Sequence, residues 1–313
     1  MSSHTSNREV SAIIVNWQSY DLVVSCIAAL EAGRPRIPRE ILVVDNSQDE
    51  AGRALWRQAP DHGVEWIFNP GNVGFATACN QAIRRARGDY LLLVNPDALV
   101  HEGTVDAMAE LIDRHPELAA VGAQLLNSDG TLQPSAYHLY PGLLRALLDL
   151  TGLRYVWLFM RRSRYSATDR DRMALMPAAW LKGACMMIRR QAFEAVGPLD
   201  ESFFLFAEDV DWCFRSRHAG WQIALATGCF ATHAGERSVS KDREGGISAY
   251  YTSYLRFILK HQGGGPLGLR AAAARWLLKL GAATRFVAFA VASVVQPERR
   301  SEAQAYWHYL TAS

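Results

Sequence analysis

The feature that most constrains the fold of this 313-residue chain is a series of four short apolar runs that alternate with helical patterns. The runs are rich in Val, Ile and Leu and span residues 10–15, 41–44, 64–68 and 90–94. The helical patterns between them span residues 22–30, 52–58 and 75–85. Strands that are apolar throughout are buried on both faces, and the intervening helices are the crossovers of a parallel sheet. The sequence therefore predicts an α/β fold with a mostly parallel central sheet.

Polar residues follow each of these runs, at the carboxyl end of the strand where open α/β sheets bind ligands. They are Asn16, Asp45, Asn69 with Asn72 close behind, and Asn95 with Asp97. Each one alone is explained as an ordinary turn residue. Four in succession at one edge of the sheet predict a shared polar cleft.

Two of these loops have further chemistry. Pro96 ends the fourth strand and directs Asp97 into the cleft, where one carboxylate suits a divalent cation that bridges diphosphate oxygens; an ordinary turn explains it equally well. Gly71 and Gly74 open the helix from Phe75, whose first amides are a candidate phosphate site. A GxGxxG fingerprint after the first strand and a P-loop motif are both absent, which excludes the usual nicotinamide and P-loop folds.

An acidic and aromatic stretch, residues 203–215, contains Glu208, Asp209 and Asp211. Asp211 and Arg215 are four residues apart, which predicts a helix that begins near Glu208 and an ion pair within it. Carboxylates in a first helical turn face the positive end of the helix dipole, so we expect them to be ionised at neutral pH. They are candidate general bases, and the same pattern also fits ordinary helix capping.

Composition excludes several classes of protein. The net charge of +2 argues neither for nor against a nucleic-acid partner, but the chain has no Lys/Arg run, recognition-helix pattern or zinc-finger pattern that would bind one. Five scattered cysteines without a CxxC pair predict reduced core thiols rather than disulfides or a zinc site. The polar N-terminus has no signal-peptide pattern, so we expect a cytoplasmic protein.

Six motifs, in this order along residues 10–238, resemble those of the family 2 glycosyltransferases of the GT-A fold, in particular their rhamnosyltransferase-like branch. They are residues 13–17 (IIVNW), 43–47 (VVDNS), 69–76 (NPGNVGFA) with Asn80, 93–97 (LVNPD), 183–189 (GACMMIR) and 203–215 (FFLFAEDVDWCFR). The resemblance implies an inverting transfer of sugar from a nucleotide-diphosphate donor, with dTDP-rhamnose favoured, to a lipid-linked or cell-surface glycan.

The resemblance also implies residue roles. Asp209, with Glu208, is the catalytic base, and Asp97 and His233 are ligands of a divalent cation, Mg²⁺ or Mn²⁺. The expected donor-binding residues are Asn16, Asp45, Asn72, Gly74, Asn80 and Asn95. The aromatic side chains Trp180 and Trp212 are either core residues or acceptor contacts, and Gly183 lies in the same acceptor region.

Two departures from the family pattern matter. Asn95 replaces one carboxylate of the usual acidic motif, which weakens the predicted metal site. Ala272 stands where processive polysaccharide synthases have Gln in their Gln-x-x-Arg-Trp signature, so transfer of one sugar per acceptor is favoured. The alternatives are a sugar-phosphate nucleotidyltransferase, which would want a Gly-rich basic loop after the first strand, and a non-catalytic sugar-nucleotide-binding subunit.

We expect a catalytic domain over residues 1–262, with an insert at about 137–176, and a helical segment over 263–313 after the linker at 263–266. The insert has apolar helical patterns followed by arginines between Arg161 and Arg172, which fits either an interfacial membrane segment or a lid. The longest uncharged run, residues 286–296, is too short to span a bilayer. The C-terminal segment therefore lies on the inner face of the cell membrane or packs on the catalytic domain.

Overall fold

The structure, a computed structural model, describes residues 8–32, 36–57, 63–151, 174–234, 243–262 and 268–312. The chain divides into two compact units. Unit 1 comprises residues 1–138, 169–204 and 208–235, and unit 2 comprises residues 139–168, 205–207 and 236–313. The arginines between Arg161 and Arg172 and the glycine-rich residues 263–266 lie outside the described residues.

The strands lie in unit 1. They are β1 (Val10–Asn16), β2 (Arg39–Asp45), β3 (Val64–Phe68), β4 (Tyr90–Val94), β5 (Ala98–Val100), β6 (Leu118–Leu126), β7 (Leu132–Gln133), β8 (Ala136–Tyr137), β9 (Leu175–Pro177), β10 (Trp180–Leu181), β11 (Cys185–Arg189) and β12 (Gln222–His233). The helices are α1 (Tyr20–Glu31), α2 (Glu50–Arg57), α3 (Phe75–Ile83), α4 (Thr104–Arg114), α5 (Leu143–Leu150), α6 (Arg190–Val196), α7 (Glu208–His218), α8 (Arg243–His261), α9 (Leu269–Ala292) and α10 (Arg300–Ala312).

The main sheet has the strand order β3-β2-β1-β4-β11-β6-β12-β5. The first four strands along the chain are mutually parallel, as the alternation of apolar runs and helices predicts. Strand β11 is antiparallel to both of its neighbours, and β12 returns parallel to β6. The prediction of an α/β fold with a mostly parallel central sheet is therefore confirmed.

The core of unit 1 lies on the strands, because their side chains are covered by helices. Ile14, Val43, Leu92 and Met187 are each fully buried in it. The five cysteines are free and buried, as their scattered positions predicted. Burial raises the pKa of Cys213 to about 12, so its thiol is protonated at neutral pH.

Strand pairing decides which polar ends meet. Asn16 lies opposite Asp45 at the ends of β1 and β2. Strand β5 runs antiparallel to the end of β12, with Ala98 opposite His233, and the amide of Ala234 donates to the Asp97 carbonyl at 3.1 Å. This pairing brings Asp97 beside His233, although the two residues are far apart in the sequence.

Unit 2 is built from α5, α8, α9 and α10 with a short 3-10 turn at Pro297–Arg299. Its core contains Ala146, Tyr251, Tyr254, Ala274 and Leu278. Helix α8 groups with the helices that follow it, so the sequence-predicted boundary after residue 262 falls inside this unit. The cause is the buried face of α8, which packs against α9 and α10. Among the described helices, none combines the length and hydropathy that a membrane span requires.

Candidate active site

Helix α7 begins at Glu208, as its sequence predicts, and is fixed by an ion pair. The Arg215 Nε lies 2.8 Å from the Asp211 Oδ2, and Asp211 is fully buried. Arg215 also donates to the carbonyls of Val196 and Pro198. The ion pair predicted from the four-residue spacing is therefore confirmed, and through Arg215 it also links the helix to the residues that precede it.

Asp209 is held by two backbone amides. The Gly183 amide donates to its Oδ2 at 2.8 Å, and the Val210 amide donates to its Oδ1 at 2.7 Å. Burial raises the pKa of Asp209, and this effect outweighs the two amides and the positive charge of Lys182, all of which lower it. The raised pKa makes Asp209 a stronger base than an ordinary aspartate.

Glu208 lies in a different environment from its neighbour. It is 5% exposed, and among the described residues its Oε2 has no hydrogen-bond partner. Burial and the adjacent charge of Asp209 raise the pKa of Glu208 well above its ordinary value. At Glu208 burial therefore opposes the helix dipole, which was expected to keep the first-turn carboxylates ionised.

Asp97 and His233 form a buried pair at the edge of the sheet. The His233 Nε2 lies 3.2 Å from the Asp97 Oδ1, and both side chains are at most 5% exposed. Burial alone would raise the pKa of Asp97, but His233 and the charge of Lys182 outweigh it, and the net shift is downward. Asp97 is therefore ionised at neutral pH.

Gln133 sets the orientation of the His233 ring. The Gln133 Oε1 lies 2.7 Å from the His233 Nδ1, and an amide oxygen only accepts, so Nδ1 carries a proton. Nε2 then faces Asp97 either as the N–H of an imidazolium or with a lone pair that can ligate a cation. Gln133 is a residue that the sequence did not single out, because it lies on a two-residue strand without a motif.

The Asp97–His233 pair fits a divalent cation. Ligands on adjacent corners of an octahedron with bonds of about 2.1 Å are roughly 3 Å apart, close to the 3.2 Å found here. Within the part of the chain that the structure describes, no group of three or more His, Cys, Asp or Glu is arranged to hold a metal. The protein therefore offers two ligands, and a bound cation would need others from a ligand or water.

Lys182 lies beside both acidic groups. Its Nζ is 3.3 Å from the Gln133 Oε1, and its charge lowers the pKa of Asp97 and of Asp209. Lys182 belongs to no motif and was not predicted as a site residue, although it stands directly before the Gly183 motif. The positive charge of Lys182 thus acts both on Asp209 and on Asp97, which contacts His233.

The Asp45 carboxylate lies in a second, fully hydrogen-bonded network. Its Oδ1 accepts from Asn16 and the Ser47 amide, and its Oδ2 accepts from the Tyr20 hydroxyl at 2.8 Å and the Arg53 Nε at 2.7 Å. Both Asp45 and Asn16 are completely buried. A nucleobase that contacts Asp45 must therefore replace one of these donors.

Gly74 and Asn80 contact the loop before α7. At Gly74, where φ is 87°, an added Cβ would lie 2.7 Å from the Phe204 carbonyl oxygen. The Phe75 amide donates to that same carbonyl, so this amide is engaged within the protein, and the phosphate site at the start of α3 stays a prediction. Asn80 exchanges two hydrogen bonds with the backbone of Leu199. Its Nδ2 also donates to the Glu201 Oε1 at 2.9 Å, so both amide hydrogens bond the chain itself, and its contact with the donor stays a prediction.

The other predicted donor residues remain accessible. Asn72 is exposed, and its Oδ1 accepts from the Gly74 amide at 3.0 Å. Asn95 is half-buried at the end of β4, next to Asp97.

The aromatic residues chosen as acceptor contacts are buried. Trp212 is fully buried, stacks on Phe193 and donates from Nε1 to the Gly197 carbonyl, so it is a core residue and not a sugar contact. Trp180 is 6% exposed and stacks on Tyr137 with ring centroids 3.9 Å apart. Phe204, which is 51% exposed, is the accessible ring of the stretch before α7 in unit 1.

Comparisons with known proteins identify the family of the chain. Residues 7–244 match a family model described as glycosyltransferase like family 2. An N-acetylglucosaminyl-diphospho-decaprenol L-rhamnosyltransferase of Mycobacterium tuberculosis is 28% identical in an alignment that covers 88% of this chain and 90% of that protein. The rhamnosyltransferase WbbL of Escherichia coli is 24% identical over 72% of this chain and 83% of its own length.

The backbone is also similar to solved structures. A mannosyltransferase from Pyrobaculum calidifontis, in complex with GDP-Man and Mn²⁺, aligns with a TM-score of 0.55 at 16% identity, covering 97% of this chain and 85% of that one. At this identity the likeness concerns the fold alone. The predicted GT-A fold is confirmed.

Proposed function

The chain belongs to the family 2 glycosyltransferases, and on this basis we propose that it transfers a single sugar, with inversion, from a nucleoside-diphosphate donor to a hydroxyl of a lipid-linked or cell-surface glycan. One observation carries the proposal. Asp209 is a buried carboxylate of raised pKa, oriented by two amides and placed with Lys182 near the Asp97–His233 pair.

Asp209 is the general base of this scheme. Each of its oxygens accepts one backbone N–H and has a second lone pair, which can accept the proton of an acceptor hydroxyl. The hydroxyl oxygen forms the new bond to the anomeric carbon as the bond to the nucleoside diphosphate breaks. The scheme uses one displacement without a covalent enzyme intermediate, so the configuration inverts.

Asp97 and the Nε2 of His233 would hold a divalent cation, Mg²⁺ or Mn²⁺. When bound, the cation would neutralise the negative charge of the leaving diphosphate. Gln133 keeps the proton on the His233 Nδ1 and so leaves Nε2 available as a ligand. Lys182 adds a second positive charge on the same side of the site.

The donor and acceptor are proposed from the relatives. Two of them are named as rhamnosyltransferases, and one name specifies a lipid diphosphate, which supports rhamnose as the sugar and a lipid-linked acceptor. The donor that we propose is dTDP-rhamnose. Asp45 and Asn16 serve the nucleobase end of the donor. Because Tyr20 and Arg53 already bond Asp45, the base gains this contact by displacing the tyrosine hydroxyl.

A panel of nucleotide sugars tests the proposal. Calorimetry with and without Mn²⁺ should find cation-dependent binding of dTDP-rhamnose, and NMR of the product on a polyprenyl-diphosphate-linked acceptor should show an inverted anomeric centre. A retained configuration would contradict the role of Asp209 as base. A protein that binds the donor but neither transfers sugar to any acceptor nor slowly hydrolyses the donor would instead be a binding subunit.

A further inference from the structure

Unit 2 exposes a stripe of large apolar side chains along α9. The stripe consists of Trp276, Leu280, Val287, Val291 and, just beyond the helix, Val294, which are 75%, 52%, 58%, 67% and 81% exposed. Their spacing of three, four and seven residues places them on one face of the helix. Surface helices usually carry polar residues at such positions, so this outer face requires an explanation.

The opposite face of α9 is already packed. Ala274, Leu278 and Ala282 are buried in the core of unit 2, together with residues of α5 and α8. These positions lie roughly half a turn away from Trp276 and Val287 in helical projection. Helix α9 therefore has two apolar faces. The inner face is buried in the core of unit 2, and the outer face is exposed.

The charged side chains of the segment that carries the stripe have one sign. Residues 267–297 contain no Asp or Glu, and their ionisable side chains are Arg270, Arg275, Lys279 and Arg285. In helical projection Arg270 lies on one side of the stripe and Lys279 on the other. An apolar face bordered by cations, with a tryptophan on it, has the composition of a helix that lies in a membrane interface.

The charge pattern also discriminates between two occupants. A symmetric contact with a second copy would place the same face against itself and bring basic residues together, without an acidic residue on α9 to pair with them. Anionic lipid headgroups complement both the cations and the apolar face.

We propose that the Trp276–Val294 stripe of α9 is an interfacial surface that inserts into the headgroup region of an anionic membrane. The purpose of this surface rests on the proposed function, because a lipid-linked acceptor must be reached at a bilayer. The helix lies along the membrane rather than across it, consistent with the absence of a spanning helix among the described residues.

Sedimentation of the full chain with lipid vesicles tests this surface. The chain should bind vesicles of phosphatidylcholine mixed with phosphatidylglycerol more tightly than vesicles of phosphatidylcholine alone. The double substitution Val287→Gln and Val291→Gln changes exposed side chains and should weaken vesicle binding roughly tenfold without altering donor hydrolysis in solution. Val24→Gln, at a 50% exposed valine of α1 in unit 1, is the matched control and should bind as the unchanged chain does.

A charge variant separates the two contributions. Arg270→Gln should weaken binding to the anionic vesicles roughly fivefold and leave binding to neutral vesicles unchanged. The proposal is overturned if the valine variant binds anionic vesicles as tightly as the unchanged chain, or if the chain is a dimer that the valine variant converts to a monomer.

Vesicle binding is measured without donor or acceptor, so its outcome is independent of catalysis. Stripe-dependent binding by a protein that transfers no sugar would refute the proposed function alone. Transfer to a lipid-linked acceptor with no stripe-dependent binding would refute the membrane surface alone.

Discussion

Glu208 and Asp209 are adjacent carboxyl groups with different roles in this account. Asp209 accepts two backbone amides, whereas the Oε2 of Glu208 has no partner within the described part of the chain. A buried carboxyl without a partner is more stable protonated. Burial therefore shifts Glu208 toward its protonated form, which adds no second negative charge beside the base.

Glu208→Gln tests this state. The pKa of Glu208 is raised in the folded protein, so above the ordinary value of 4.5 the unfolded chain releases a proton that the folded chain keeps. The contribution of Glu208 to the free energy of unfolding is therefore greatest below pH 4.5 and falls as the pH rises from 4.5 toward the raised pKa of the folded protein. Glutamine removes this loss, and the variant should melt roughly 2 °C or more higher at neutral pH.

The control for this variant is Glu102→Gln at an exposed position, which should leave the melting temperature unchanged. Melting curves over a series of pH values provide the measurement. A Glu208→Gln protein that is less stable than the unchanged chain at neutral pH would show that the carboxyl is ionised and bonded.

Gln133→Met tests the orientation of His233. Methionine keeps the volume but removes the acceptor for Nδ1–H, so the ring is free to change tautomer. Loss of such a partner typically weakens metal binding by about 10- to 100-fold. Titration with Mn²⁺ in the presence of nucleoside diphosphate measures the affinity, and Gln124→Met, at another half-buried glutamine of the same sheet, is the control. Equal Mn²⁺ affinity of the two variants would remove Gln133 from this role.

At the scale of elements, the approach of α3 to the loop before α7 places the acidic residues. Gly74 permits it, because a side chain there would collide with the Phe204 carbonyl at 2.7 Å. Gly103 is a useful comparison, since its φ is also positive, at 74°, but nothing lies within 4 Å of a built Cβ.

Gly103→Ala should therefore cost about 1–2 kcal/mol of folding free energy from backbone strain alone. Gly74→Ala adds a collision with backbone and should cost roughly 1–3 kcal/mol more. Urea unfolding measures both, and sugar transfer should fall only in the Gly74 variant. Equal costs in the two variants would mean that the Phe204 loop moves away freely.

The elements themselves were largely predictable from the sequence. The runs at 64–68 and 90–94 coincide with β3 and β4, and the spacing of Asp211 and Arg215 located α7 and its ion pair. These features depend on local periodicity, which a sequence displays directly.

The errors concern contacts that local periodicity does not specify. Trp212 was open to either interpretation because a helix pattern does not say which neighbours cover each face, and Phe193 and Gly197 cover it. Gln133 was missed because its partner His233 lies on a distant strand. The upward shift of the Glu208 pKa depends on burial, which tertiary packing alone decides.

At the scale of the whole molecule, the second unit places α8 with the C-terminal helices. Tyr251, Tyr254 and Ile258 of α8 are buried together with Ala274 and Leu278 of α9. The predicted division at residue 262 would cut this core in two.

A chain ending at residue 262 should therefore expose these side chains and aggregate or lose cooperative unfolding. Removal of the buried contacts of several large residues costs about 2–5 kcal/mol for each, more than a unit of this size can lose. Size-exclusion chromatography and melting of the shortened chain give the measurement. A shortened chain that is monomeric and unfolds in the same cooperative transition would instead support a domain boundary at residue 262.

The central claim, that Asp209 is the base of a glycosyl transfer, is tested most directly by Asp209→Asn. Donor affinity by calorimetry and transfer to acceptor are measured on the same preparation. Asparagine keeps the size of the side chain but cannot accept the proton, so we expect unchanged donor affinity and transfer reduced by about 10²- to 10⁴-fold. A variant that binds donor normally and retains most of its transfer activity would contradict the account.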